Sequence, residues 1–295
     1  MKEVKKEEKR FFLLIVSISL MAAAAALAGL FSGDGDGPWN FKSVGGEWVQ
    51  IVGQGIYRND SVSYVAQGKA SDLVTLILGV PLLLLSAYFQ GLGSFRGRLM
   101  VTGMLGYFLY TYMSYTFLWT YNNLFLVYVL LMSGSLAGLI LNLKGYDYPE
   151  IKSHFKKELP IRFLSGVLFL IGGGIGMLWL GKIVASMVSG VPPIGLDHYT
   201  TLVIQGMDLG FVVPAAITGG ILLLKGRPAG YLLSSAIIVK GAAMLTALSV
   251  MMISMKWSGV PMSTIEILLF PAFNVLIILA LVLLMKNATS ERCAE

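Results

Sequence analysis

Gln205-Gly206-Met207-Asp208-Leu209 leads into an apolar run containing Pro214, which ends at the basic turn Lys225-Gly226-Arg227 and is followed by a second apolar run with Lys240 at its middle. Two opposite charges therefore lie deep in hydrophobic sequence. A weaker image comes earlier: Gln67-Gly68-Lys69-Ala70-Ser71-Asp72-Leu73, an apolar run with Pro81, and the basic turn Arg96-Gly97-Arg98. Ionisable residues inside membrane spans cost about 3 kcal/mol or more each, and they usually line a bundle interior or a pathway. The rest of the chain is read outward from these two stretches.

The surrounding composition is that of a polytopic membrane protein, because 295 residues with 56% hydrophobic content, 13% charge and a mean hydropathy of +0.76 do not describe a soluble domain. Apolar runs at about 11–31, 64–89, 99–119, 123–143, 163–183, 200–224, 229–255 and 264–285 each approach the length of roughly 20 residues that a span needs. This predicts an all-α integral membrane protein of eight transmembrane helices. The first run is too long for the apolar core of a signal peptide and reads as an uncleaved span. Residues 32–60 are polar and glycine-rich, with the alternation of a short strand or hairpin at Trp48–Val52, and they read as a small extracytoplasmic insertion. Between the fourth and fifth spans, Pro149–Glu158 reads as a short amphipathic helix at the lipid interface.

Sixteen of the 22 Lys and Arg residues fall in the segments that are cytoplasmic if the N-terminus is inside; five fall in the opposite segments, and Lys240 lies in a span. This bias predicts a multi-pass cell-membrane protein with both termini cytoplasmic. It also accounts for the net charge of +6 without nucleic acid as a partner. The partners implied are the lipid bilayer and a small polar solute or ion. Cys293 stands alone near the chain end, so no cysteine framework or cysteine-rich metal site is available. His154 and His198 are assigned to opposite sides, and no nucleotide fingerprint is present; no metal or cofactor is expected.

The two parts of the chain also resemble each other in order. Lys5-Lys6-Glu7 matches Lys156-Lys157-Glu158, Gln67-Gly68 matches Gln205-Gly206, Asp72-Leu73 matches Asp208-Leu209, and Lys144 and Lys286 close the two copies. The expected organisation is a first four-helix repeat over 1–146, an interfacial linker over 147–161, a second repeat over 162–288 and a tail over 289–295. Four helices per repeat make the duplication parallel, with a site between the repeats.

Helix geometry puts Lys240 about 15 Å from one end of its span and Asp208 about 13 Å from the opposite face, so both are near mid-membrane and are expected to pair. Thr201, Gln205 and Asp208 form a polar stripe, Glu266 and Asn274 share a face around Pro271, and the third helix supplies Tyr107, Tyr110, Thr111 and Ser114. The residues expected along a solute or ion pathway are Gln67, Lys69, Asp72, Tyr110, Gln205, Asp208, Lys240, Glu266 and Asn274; none is assigned as catalytic. Gly172-Gly173-Gly174-Ile175-Gly176 reads as a helix-packing stripe. A carrier or channel for a small polar or charged solute fits this pattern best. The alternatives are a membrane enzyme using the carboxylates on a lipid-soluble substrate, and a receptor or assembly subunit working through 32–60.

Overall fold

A computed structural model describes residues 2–290; Cys293, and the side chain of Glu266, lie outside what it describes. Eight helices follow one another: α1 (Lys2–Phe31), α2 (Val62–Gly91), α3 (Phe95–Phe117), α4 (Phe125–Lys144), α5 (Ile161–Ser189), α6 (Val203–Leu224), α7 (Pro228–Trp257) and α8 (Thr264–Asn287). Seven are long and apolar enough to cross a membrane, so the chain is a multi-pass helical membrane protein. The exception is α3, where Arg96, Arg98 and a run of Tyr, Thr, Ser and Gly dilute the hydropathy. It is also the helix most enclosed by protein, with Leu99, Met104, Leu105, Tyr107 and Phe108 fully buried. Hydroxyl-rich sequence is costly against lipid and finds donors and acceptors among neighbouring helices, and the bundle is built around this one.

Among the first four helices, α1 packs on α2 and α4, α2 on α3, and α3 on α4; among the last four, α5 packs on α6 and α8, α6 on α7, and α7 on α8. The two sets meet through α7, which lies against both α2 and α3. At the α3–α7 crossing a Cβ added to Gly103 would stand 2.2 Å from the Cβ of Val239, so glycine is what lets the backbones approach. The opposite contact, between α3 and α6, is slight and involves the first turn of α6, Val203–Met207.

Both α2 and α6 change winding midway, at the π turns Thr75–Gly79 and Asp208–Val212. Each precedes a proline, Pro81 or Pro214, whose missing N–H cannot serve the preceding turn. The Val80 and Val213 amides instead reach five residues back, to the carbonyls of Thr75 and Asp208.

Two ends of the bundle can be told apart. One carries a hairpin, β1 (Trp39–Lys42) paired antiparallel with β2 (Trp48–Ile51), inserted between α1 and α2. The other carries the basic turns, where Gly93 and Gly226 take the left-handed conformations (φ 84° and 63°) that close α2 on α3 and α6 on α7. The linker at this end corrects one expectation. In place of an amphipathic helix, it holds a short 3₁₀ turn, Ile151–His154, followed by an extended Phe155 bridged to Ala288. Ile151, Phe155 and Leu159 are buried against protein, while Pro149, Lys152, Lys156, Lys157 and Glu158 are exposed. With Pro149 and Pro160 bounding it, the segment is too short to offer lipid an apolar face. The stretch after α8 is clasped here: the Lys156 amide donates to the Asn287 carbonyl (2.9 Å), the Thr289 amide to that of His154 (2.9 Å), and Arg96 Nε to that of Ala288 (2.6 Å).

Candidate functional site

Asp72 and Asp208 both sit well inside membrane-crossing helices, and they are held in different ways. Asp72, on α2, is buried at 6% exposure; its Oδ2 accepts from Tyr57 Oη at 2.6 Å and its Oδ1 from Tyr115 Oη at 2.9 Å. Glycine makes room for it, since a Cβ on Gly29 of α1 would lie 2.0 Å from Asp72 Oδ2 and 2.6 Å from Tyr57 Oη. The rings of Tyr57, Tyr115 and Trp119 close over the group. Asp72 is thus a sealed knot joining α1, α2, α3 and the hairpin insertion.

Asp208 is half-buried at the first position of its π turn. Its Oδ1 accepts from Tyr110 Oη of α3 at 2.7 Å, and its Oδ2 accepts from Trp179 Nε1 of α5 at 2.8 Å. Lys240, half-buried on α7, lays its Nζ 3.9 Å from the centre of the Tyr110 ring. The expected direct ion pair is therefore replaced by a relay, in which the Tyr110 ring takes the ammonium on its face and its hydroxyl serves the carboxylate. Gly106 lies beside the Lys240 stem, where an added Cβ would meet the lysine Cβ and Cγ at an ordinary van der Waals 3.8 Å.

Where α3 and α6 face each other across their slight contact, the residues on both sides are only partly buried, and this interval between the two helices is the candidate cleft. Along α3, Gly106, Tyr110 and Ser114 are half-buried and Phe117 is exposed, a stripe at helical spacing running to the hairpin end; on α6, Ile204 and Asp208 are half-buried opposite it. Toward the basic end the cleft stops at the Gly103–Val239 crossing. A separate, apolar groove of about 130 Å³ lies among α2, α3, α7 and α8, lined by residues including Leu82, Met100, Met104 and Ala243.

The other expected residues are not part of this group. Gln67 bonds locally to Ser63, Lys69 points out of the bundle, Gln205 is buried, and Asn274 accepts from Thr246 Oγ1 at 3.3 Å. Sequence reasoning missed Trp179 and Tyr57. Trp179 could have been found, since an indole N–H placed midway along an apolar span must find an acceptor. Tyr57 could not, since it reaches Asp72 from a loop. Gly172 and Gly176 pack against Ala216 and Val213 of α6 as a contact stripe. His154 and His198 lie at opposite ends, and among the described residues no group of three or more His, Cys, Asp or Glu is placed to hold a metal ion.

Spacing adds a relation that the sequence matches had obscured. Thr75 and Asp208, Pro81 and Pro214, Gly93 and Gly226, and Gly97 and Gly230 all stand 133 residues apart. In that register Asp208 corresponds to Thr75, not to Asp72, and Lys240 corresponds to Tyr107. Thr75 Oγ1 and Tyr107 Oη are hydrogen-bonded at 2.9 Å, with both residues buried. At the same 133-residue spacing, then, one pair is neutral and sealed and the other is charged and half-buried.

A second polar cluster lies at the hairpin end. Asp60, 1% exposed, accepts from the Thr120 amide at 2.9 Å and from Tyr199 Oη at 2.8 Å, while Ser61 Oγ donates to Asp197 Oδ2 at 2.6 Å. His198 Nε2 lies 3.0 Å from the Asn59 carbonyl. Burial pushes the Asp60 carboxyl above its ordinary value, against the lowering effect of its hydrogen bonds and of His198. The folded protein therefore holds that proton more tightly than the unfolded chain, and the stability this contributes is present below the unfolded value and lost as pH rises through the folded one. Asp60→Asn keeps an acceptor for Thr120 and Tyr199 and removes the buried charge. Its melting temperature is expected to match the parent near pH 4 and to exceed it at pH 7, in melts recorded across that range.

Compared with known families, curated proteins and solved structures, the chain matches none.

Proposed function

We propose that this protein carries a small polar or charged solute across the cell membrane, binding it in the cleft between α3 and α6 beside Asp208, Tyr110 and Lys240. The observation that carries the reading is the charged pair itself. The neutral Thr75–Tyr107 pair is enough to join α2 to α3, so packing alone does not call for a carboxylate and an ammonium at the corresponding place. Charges retained at a cost of several kcal/mol in an accessible mid-membrane cleft have the character of a pathway. The cleft is open toward the hairpin end and stopped at the Gly103–Val239 crossing, which is the form of a carrier in one of its two states rather than of an open channel.

The same reading takes 1–146 and 162–288 as duplicated four-helix units in parallel orientation, joined by 147–161. The equal packing order of the two sets of helices supports it, as do the paired π turns and the constant 133-residue spacing. Within this arrangement the hairpin end faces outward and the basic end faces the cytoplasm, in keeping with the lysine and arginine bias. In a Cys293→Ser background, a cysteine at the exposed Val44 should react with a membrane-impermeant maleimide in intact cells, and one at the exposed Lys157 only after permeabilisation. Labelling of both from the same side would overturn the topology. The functional test is a flux screen of ions and small solutes in proteoliposomes: the parent should move at least one of them, and Asp208→Asn should not. A parent that moves none across a broad panel, while well folded, would remove the transport reading in favour of intramembrane chemistry at Asp208.

A further inference from the structure

Asp208 and Lys240 do not offer the cleft the same thing. Both carboxylate oxygens of Asp208 are already engaged, Oδ1 by Tyr110 Oη and Oδ2 by Trp179 Nε1, on donors fixed to two other helices. Lys240 is the reverse case. Among the described residues its Nζ has the face of the Tyr110 ring beside it and no hydrogen-bond acceptor. An ammonium has three N–H groups to satisfy, and a buried or half-buried one lacking acceptors is costly unless something enters to meet them. Lys240 is half-buried and not closed off, with Gly106 alongside its stem. Two of the roughly four acceptor sites of Asp208 are already filled, whereas all three N–H groups of Lys240 lack an acceptor, so the larger unmet demand in the cleft is for an anion.

We infer that the cleft takes a solute bearing an anionic group, a carboxylate or a phosphate-type oxyanion, which docks on Lys240 Nζ while Asp208 holds Tyr110 and the lysine in place. This rests on the transport reading for its consequence but not for its test, because binding is measured without flux. Purified full-length protein in detergent would be melted against acetate, inorganic phosphate and, as the cationic control, methylammonium, at constant ionic strength. Acetate or phosphate should raise the melting temperature of the parent and of Lys240→Arg in a saturable way, and the apparent affinity should weaken by about tenfold or more in Lys240→Gln and Lys240→Met. An anion effect of equal size in Lys240→Gln would overturn the inference. So would stabilisation by methylammonium that disappears in Asp208→Asn, or no saturable anion effect on the parent, a result that stands even if the lysine variants fail to fold. Lys240-dependent anion binding without flux of any solute would uphold the anion site and remove the carrier. Flux insensitive to Lys240→Gln and to competing acetate and phosphate would uphold the carrier and remove the anion site.

Discussion

Gly29→Val and Asp72→Ala are each expected to abolish accumulation of folded protein, although neither residue borders the cleft. The two oxygens of Asp72 meet Tyr57 and Tyr115 at 2.6 and 2.9 Å in a buried setting. Hydrogen bonds to a charged group are worth about 1.5–3 kcal/mol each, and removing the acceptor leaves two buried hydroxyls unserved. The combined cost, about 3–5 kcal/mol, is a large share of the stability of a typical domain, about 5–15 kcal/mol. Gly29→Val reaches the same knot from the other side. Its Cβ would fall 2.0 Å from Asp72 Oδ2 and 2.6 Å from Tyr57 Oη, so the buried carboxylate and the hydroxyl bonded to it would both have to be displaced. Asp72→Asn is the milder control, because the amide retains one acceptor. Detergent-solubilised yield and fluorescence-detected gel filtration would decide the matter: a monodisperse Gly29→Val protein at parental yield would show that α1 and α2 are not locked where Asp72 sits.

How far such a knot could be read beforehand depends on which contacts are local. Hydropathy and charge placement are properties of contiguous segments, so the eight helices, their approximate bounds and the strand at Trp48 follow from the sequence alone. The polar face of α3 was also legible, because hydroxyls at helical spacing in an apolar run must meet something. What each residue meets was not legible, because Tyr57, Trp179 and Gly29 lie on separate elements and sequence spacing carries no distance between elements. Which residues of the two parts correspond is hard to read for a related reason. Identical short strings pair Asp72 with Asp208, whereas the π turns and glycine turns recur at a constant 133 residues and pair Asp208 with Thr75, about one turn away. The linker was misread because its lysines suggested headgroups, while Ile151 and Phe155 had a protein surface to enter.

Converting the charged pair to the neutral one, by Asp208→Thr with Lys240→Tyr, is expected to give a protein that still folds, with any loss limited to about 1–3 kcal/mol from leaving the Trp179 indole N–H without an acceptor, and that moves nothing. The substitution copies Thr75 and Tyr107, a combination this bundle already accommodates at the corresponding place. It also removes two charges whose desolvation opposes folding, and replacing buried or partly buried ionic groups by well-packed uncharged ones is often neutral or stabilising, by about 1–4 kcal/mol. The single substitutions separate the contributions. Asp208→Asn turns an amide toward either Tyr110 or Trp179, and the indole N–H can only donate; a loss of about 1–3 kcal/mol follows if the site is dry. Lys240→Met should leave stability unchanged or raised, because the lysine makes no direct bond to Asp208 and the carboxylate keeps both of its donors. This departs from what a direct ion pair would give, where removing either partner strands the other and both variants suffer alike. Flux should be lost in all three proteins. Thermal melts and proteoliposome flux on the parent and the three variants therefore place the pair on one side or the other: flux retained in Asp208→Thr with Lys240→Tyr would make the charges incidental to the pathway. A folded double variant without flux would mean that the chain keeps them at mid-membrane for the solute and not for the fold.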